Sequence, residues 1–280
     1  MNFLKPITGS FACPAAENPT VVMIEAAYKQ LGLDWLYVNL EVSPYALADA
    51  VHGAKAMGWR GFNCSIPHKV AVISHLDELG KSARLIGAVN TIVRQGDRWV
   101  GENTDGRGFV SALQKVISPK GKTIALLGAG GAARAVAVEL ALAGAKRILV
   151  INRSASRGGE LVTHLSKHTS AASEFILWDK PFSVPEGVDI LINATSIGLY
   201  PDVDGMPEID VSSLSTSLVV ADGIHNPPLT PFLKSAKQVG CQTVDGLEML
   251  VQQGVLGVEY WTGFRPDASV MRAALENLHL

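Results

Sequence analysis

The stretch TIALLGAGGAARAVAVELALAGAKRILVINR, residues 123 to 153, constrains the fold of this chain more than any other. An apolar run, a glycine turn, an alanine-rich helical stretch ending at Gly144 and a second apolar run make one βαβ unit. Gly128, Gly130 and Ala133 fill the first, third and sixth places of a GxGxxA pattern. The first glycine permits a tight turn and the second lets backbone approach a pyrophosphate. The alanine lets the helix pack close to the strand, with its N–H groups aimed at the anion. Glycine turns also serve plain backbone needs, but this one lies between strand and helix, as dinucleotide binding requires.

The end of the second strand bears on which dinucleotide binds. An NAD site places Asp or Glu about 20 residues beyond the first glycine, against the ribose 2′-hydroxyl. Here the chain reads Asn152-Arg153-Ser154-Ala155-Ser156-Arg157. Two guanidinium groups without a nearby carboxylate suit a 2′-phosphate, so NADP is the expected cofactor. The alternative is that both arginines are solvated surface charges.

A first α/β block precedes this unit. Asn18 and Pro19 suit a helix start, and Val21, Val22, Ile24, Ala27 and Leu31 recur at helical spacing up to Gly32. A strand at 35–40, a helix at 45–57 closed by Gly58 and a strand at 61–66 complete a βαβαβ run beginning at Ile7-Thr8, with GSFACPAAEN read as the first strand-to-helix loop. Two short strands at 88–94 and 99–102 flank a hairpin turn, and a helix is expected at 109–117. In the second block, later strands are expected at 188–193, 218–221 and 242–244, and two helical stretches at 247–261 and 269–278. The expected architecture is α/β: a first domain over 1–105, a Rossmann-type domain over 106–246, and a C-terminal helical segment, 247–280.

The 280 residues, 48% hydrophobic and 18% charged, suffice for two packed cores. A net charge of -2 leaves no cationic excess for a phosphate backbone, so a small molecule rather than nucleic acid is the expected partner. Cys13, Cys64 and Cys241 are far apart, odd in number and without CxxC spacing, which suggests free thiols and no metal. No signal-peptide core or membrane-length apolar run is present, so a cytoplasmic protein is expected. Monomer and homodimer both remain open.

If a nicotinamide is present, a proton must reach or leave the substrate oxygen as hydride moves. Pro67 halts the strand before it, leaving Lys69 just past a strand's carboxyl end, where ligands bind in open α/β sheets. Asp105 follows another strand, so both residues are candidates. A charged lysine serves naturally as proton donor to a carbonyl, with the aspartate holding it; by position alone each is more often a surface residue.

The motifs NCSIPHK (63–69), GAVNT (87–91), GENTDG (101–106), GAGGAARA (128–135), NRSASR (152–157), INATSIG (192–198) and DGLEMLVQQG (245–254) together resemble the shikimate dehydrogenase family across nearly the whole chain. The resemblance implies an N-terminal α/β substrate-binding domain, a Rossmann-type NADP-binding domain and a C-terminal helix returning to the first. It implies Lys69 as catalytic acid/base and Asp105 as its partner. Substrate contacts carry over to Ser65, Asn90 and Gln253, and cofactor contacts to Gly128, Ala129, Gly130, Gly131, Ala132, Asn152, Arg153, Arg157, Thr195 and Gly246. The implied reaction is NADP-dependent interconversion of 3-dehydroshikimate and shikimate, or of a close cyclic polyol acid such as quinate or an amino analogue. This would place the chain in aromatic amino acid biosynthesis by way of chorismate.

Two places depart from the family pattern. A G-N-P-x-x-x-S-x-S-P loop usually supplies two serines to the substrate carboxylate. Aligning Pro14 with its last proline puts Phe11 and Cys13 at those serines and shortens the loop, with Ser10 able to slide into one role. A family tyrosine becomes His225, which as an imidazolium would pair with a carboxylate, although a lone His is more often a neutral hydrogen-bonder. A substrate without a carboxylate is therefore an alternative. A non-catalytic NADP sensor is another, opposed by the retention of both Lys69 and Asp105.

Overall fold

A computed structural model describes residues 3–278. The chain divides into two compact units: one runs to Thr104 and resumes at Gln253, and the other spans Asp105–Gln252. The division at Gln253 falls inside a helix that the sequence assigns whole to the returning segment.

The first unit contains β1 (Ile7–Ala12), α1 (Thr20–Gln30), β2 (Leu36–Glu41), α2 (Leu47–Ala56), β3 (Gly61–Cys64), α3 (His68–Ala71), β4 (Glu78–Leu79), α4 (Lys81–Ile86), β5 (Thr91–Gln95) and β6 (Arg98–Glu102). Its sheet runs β2-β1-β3-β5-β6-β4. Strands β2, β1 and β3 are parallel, whereas β3, β5 and β6 pair antiparallel around the Gly96-Asp97 turn. The boundary between the units falls at the start of α5 (Thr104–Leu113), after its first residue. The rest of the second unit follows: β7 (Thr123–Leu127), α6 (Gly131–Leu142), β8 (Arg147–Asn152), α7 (Ala155–His168), β9 (Ala172–Leu177), β10 (Ile190–Asn193), β11 (Val219–Asp222), α8 (Pro231–Val239) and β12 (Gln242–Val244). Helix α9 (Gly246–Thr262) contributes to both units, and α10 (Ala268–Glu276) belongs to the first. The second sheet, β12-β11-β10-β7-β8-β9, is wholly parallel and has the doubly wound order of a Rossmann fold.

Local chemistry explains the elements. The Asn18 side chain accepts the Thr20 N–H at 3.0 Å and so opens α1, while Gly32, at φ +68°, lets the chain leave it. In the first core Phe11 stacks on Phe62 with ring centroids 4.4 Å apart, and Phe62 meets Trp99 edge-on at 5.4 Å. The Trp261 indole on α9 donates to the Ile92 carbonyl at 2.9 Å, pinning that helix to the first sheet. The second core gathers Leu127, Ile151, Leu191, Val220 and Phe232.

Two expectations are corrected. The supposed loop from Gly9 is strand through Ala12, and Gly9 is required there because a Cβ would strike the Val38 carbonyl oxygen of β2. The helix expected from Phe109 begins at Thr104, because the Asn90 carboxamide oxygen accepts the Thr104 N–H at 2.7 Å and caps it from a distant loop. Among the described residues, no helix is long and apolar enough to cross a membrane.

Candidate active site

The carboxyl edge of the first sheet assembles the polar residues singled out from the sequence. Ser65 follows β3, its N–H bonded to the Phe11 carbonyl, and its own carbonyl accepts the His68 N–H at 2.8 Å. The next residue, Lys69, is half-buried on α3, and its carbonyl accepts the Val89 N–H at 2.8 Å. That bond joins the PHK and GAVNT segments and brings Asn90 beside Lys69. His68 is buried and its Nε2 bonds to the Val42 carbonyl at 2.8 Å, fixing the short helix from below.

Asn90 is itself buried, and its side chain is engaged with Thr104: besides the cap, its Nδ2 donates to the Thr104 hydroxyl at 3.0 Å. The Thr104 hydroxyl also donates to the Gln253 carboxamide oxygen at 3.4 Å, so Asn90, Thr104 and Gln253 form one buried set. Asp105 is the next residue along, half-buried in the first turn of α5. Beneath this set, Tyr37 donates to Asn63 at 2.7 Å, and Asn63 donates to the Asn90 carbonyl and to Thr91 Oγ1, each at 3.0 Å.

The β1 end of the edge differs from expectation. Ser10 is fully buried and turned inward: its hydroxyl donates to Asn39 Oδ1 at 2.8 Å and accepts from Asn18 Nδ2 at 3.3 Å. Phe11 is 1% exposed and belongs to the core, and the Ser10 hydroxyl is engaged by Asn39 and Asn18. Glu41 stands opposite Ala12, accepts the Ala15 N–H at 2.7 Å and faces the Cys13 thiol at 3.5 Å, whose pKa this hydrogen bond raises. Asn18, which the sequence marks only as a cap, also accepts the Asn39 side chain on its carbonyl at 2.8 Å. The segment thus has an amide-rich polar face that a search for serines overlooks.

The second unit carries the dinucleotide features. Gly128 adopts φ +109°, a region closed to most residues, and a Cβ on Gly130 or Gly131 would meet nothing within 4 Å. No side chain caps α6, so the N–H groups of Gly131 and Ala132 stay available to an anion, and half-buried Ala129 completes the turn. The turn fits a pyrophosphate. Past β8, Asn152 Nδ2 holds the Ser154 carbonyl at 3.0 Å, and Ser154 caps α7 by accepting the Arg157 N–H. Arg153 and Arg157 are exposed on either side of that cap and, among the described residues, neither forms a salt bridge. Two uncommitted cations fit a 2′-phosphate.

Thr195 packs against the glycine turn: a Cβ on Gly128 would lie 3.1 Å from its methyl. Gly246 is buried against the backbone of Gly223 and Ile224. His225 is half-buried, and burial lowers its pKa below the ordinary 6.5. Among the described residues, no group of three or more His, Cys, Asp or Glu could hold a metal ion.

Comparison with known proteins gives this geometry its context. Residues 11–92 match a model of the shikimate dehydrogenase substrate binding domain, 111–250 a shikimate / quinate 5-dehydrogenase model, and 246–276 a shikimate 5'-dehydrogenase C-terminal domain. The shikimate dehydrogenase (NADP(+)) of Desulforamulus reducens is 42% identical, covering 96% of this chain and 94% of the relative. Among solved structures, the 5-ketofructose reductase of Gluconobacter sp. strain CHM43 is 54% identical with a TM-score of 0.96, covering 99% of this chain and 100% of its own. The shikimate 5-dehydrogenase of Thermus thermophilus, in complex with NADP(H) and shikimate, is 32% identical with a TM-score of 0.85, covering 97% and 99%. With both blocks of the chain matched and its relatives spanning it almost end to end, the chain belongs to the shikimate dehydrogenase family of oxidoreductases acting on CH–OH groups.

Proposed function

We propose that this chain catalyses NADP-dependent hydride transfer between a secondary alcohol and its ketone on a small polyhydroxylated substrate. Lys69 moves the proton, Asp105 holds Lys69, and Ser65, Asn90 and Gln253 contact the substrate hydroxyls. The observation that carries the reading is the joining of the segments bearing Ser65, Lys69 and Asn90 at one sheet edge, where the Lys69 carbonyl accepts the Val89 N–H at 2.8 Å and the Asn90 carbonyl accepts the Cys64 N–H at 2.9 Å. The bound nicotinamide would supply the hydride. In reduction, the Lys69 ammonium gives its proton to the carbonyl oxygen as charge develops there. The two arginines of the NRSASR segment and the glycine turn hold the cofactor, and a cytoplasmic location accords with its use.

Family membership brings 3-dehydroshikimate and shikimate as the first substrate pair. A second reading keeps the chemistry and drops the carboxylate, and specific observations favour it. Ser10 and Phe11 are buried, burial disfavours the charged form of His225, and Glu41 adds a negative charge at the end of β2 beside the Cys13 segment. The 54% identical neighbour is, moreover, a 5-ketofructose reductase. NADPH oxidation followed in parallel with 3-dehydroshikimate, 3-dehydroquinate and 5-ketofructose separates the two readings. Turnover of a ring acid supports the first, and turnover of the neutral sugar alone supports the second. If no ketone reacts while NADPH binds, the chain is a sensor. Glu41→Gln is expected to raise kcat/KM for the acids relative to the sugar by a few fold at low salt.

Arg153→Ala and Arg157→Ala are each expected to raise KM for NADPH about tenfold, the scale of one lost charge-assisted hydrogen bond. KM for NADH should stay within a factor of about two, since NADH lacks the 2′-phosphate. Parallel saturation curves for the two cofactors are the measurement, and equal losses for both would remove the arginines from the phosphate site.

A further inference from the structure

Asp222 ends β11 fully buried, and all its side-chain partners are neutral. Its Oδ1 accepts the Asn193 Nδ2 and the Ile224 N–H, each at 3.0 Å, and its Oδ2 accepts the Thr230 hydroxyl at 2.7 Å. Asn193, also fully buried, in turn accepts the Thr195 hydroxyl at 2.7 Å and the Thr195 N–H at 3.1 Å. One carboxylate therefore organises the segment beginning at Thr195, which packs on Gly128, and the Gly223-Ile224 backbone under which Gly246 fits.

Its place in the sheet gives that role a direction. In the order β9-β8-β7-β10-β11-β12, the β7 to β9 half carries the arginines, while β10 and β11 form the other mononucleotide half, where the nicotinamide belongs. A buried carboxylate without a cationic partner is costly to a fold, and an asparagine of the same shape would spare that cost. The oxidised nicotinamide ring carries a positive charge that the reduced ring lacks, so a fixed negative charge in this half acts differently on the two forms.

Resting on the NADP reading above, we propose that Asp222 is the positioning residue of the nicotinamide half of the cofactor site, and that its negative charge favours oxidised over reduced cofactor. Burial pushes its pKa up to about 6, which leaves it ionised at neutral pH.

The test is the dissociation constant of each cofactor form, measured by calorimetry without substrate. Asp222→Asn is expected to raise the ratio Kd(NADP+)/Kd(NADPH) about fivefold, the scale of one charge acting across roughly 10 Å of partly polar medium. Thr230→Val removes a hydrogen bond that lowers the Asp222 pKa, so its constants are measured at about pH 8.5, where Asp222 stays ionised, and are expected to shift together and leave the ratio unchanged. Folding of Asp222→Asn is checked by urea denaturation against pH. With its pKa raised in the fold, Asp222 makes the wild type lose stability as pH rises from 3.8 to about 6, so the variant should gain on it across that window. Should that variant not be isolable, Asp222→Ser removes the same charge and reads the same ratio. A ratio within twofold of the wild type in either charge-removing variant, or a Thr230→Val variant that moves the ratio as far as Asp222→Asn does, overturns the inference alone. A wild type that binds neither form overturns the cofactor reading and the inference with it.

Discussion

Replacing Lys69 by alanine is expected to lower kcat for ketone reduction by about 100- to 10,000-fold while NADPH still binds, the range over which a positioned general acid contributes. In free energy this is roughly 3 to 5 kcal/mol of barrier, at about 1.4 kcal/mol per decade. The loss arises because the oxygen that receives no proton must develop alkoxide charge in a site where Lys69 was the cation at hand. Lys69→Arg should not restore turnover, since a guanidinium holds its proton too firmly to give it up. Stopped-flow decay of NADPH absorbance, with cofactor affinity measured separately by fluorescence, checks both halves of the expectation. The cofactor-binding half follows from the fold: Lys69 belongs to the first unit, and the glycine turn and arginines belong to the second. A variant that keeps more than a tenth of wild-type kcat would remove Lys69 from the proton transfer.

What the sequence made legible was the local structure that lies in contiguous motifs. The glycine turn between β7 and α6, the turn after β8 and the PHK turn after β3 each lie within a few residues, so their places between strand and helix could be read locally. What it hid was whatever depends on residues far apart in the chain. The cap of α5 comes from Asn90, 14 positions before the residue it caps, so no local signal marked Thr104 as a helix start. The Asp222 cluster joins Asn193, Ile224 and Thr230, and nothing in the short DGIH segment announces a buried charge. Strand β9 escaped notice because it is an edge strand with no fully buried residue, so its alternation is weak.

The first strand is hard to read for a related physical reason. A strand covered on both faces shows no alternation of polar and apolar residues, and β1 is buried at every position from Thr8 to Ala12. Its glycine and serine, which resemble loop residues, answer tertiary demands instead. Gly9 makes room for the β2 backbone, and Ser10 satisfies Asn39 and Asn18. Aligning on Pro14 then sets Phe11, a core residue of this strand, at a position where the family has a loop serine.

Phe11→Ser is accordingly expected to destabilise the first unit by about 4 kcal/mol or more, without creating a carboxylate site. Truncating a buried phenyl ring costs about 3 to 5 kcal/mol through lost transfer energy and the cavity left behind. The serine hydroxyl would add the penalty of a polar group beside Phe62 and Trp59, the rings that Phe11 now contacts. Against a total stability on the order of 5 to 15 kcal/mol, this is a large fraction, and melting should fall by about 10 °C. Phe11→Leu keeps much of the contact and should cost less than half as much. Differential scanning calorimetry of the two variants gives the stabilities, and kcat/KM for 3-dehydroshikimate against 5-ketofructose on the folded fraction gives the preference. Because the side chain faces Phe62, Trp59 and the rest of the first core, the preference should be unchanged even where stability is lost. A Phe11→Ser protein that melts within about 2 °C of the wild type and gains activity on the acid would instead place residue 11 against the substrate.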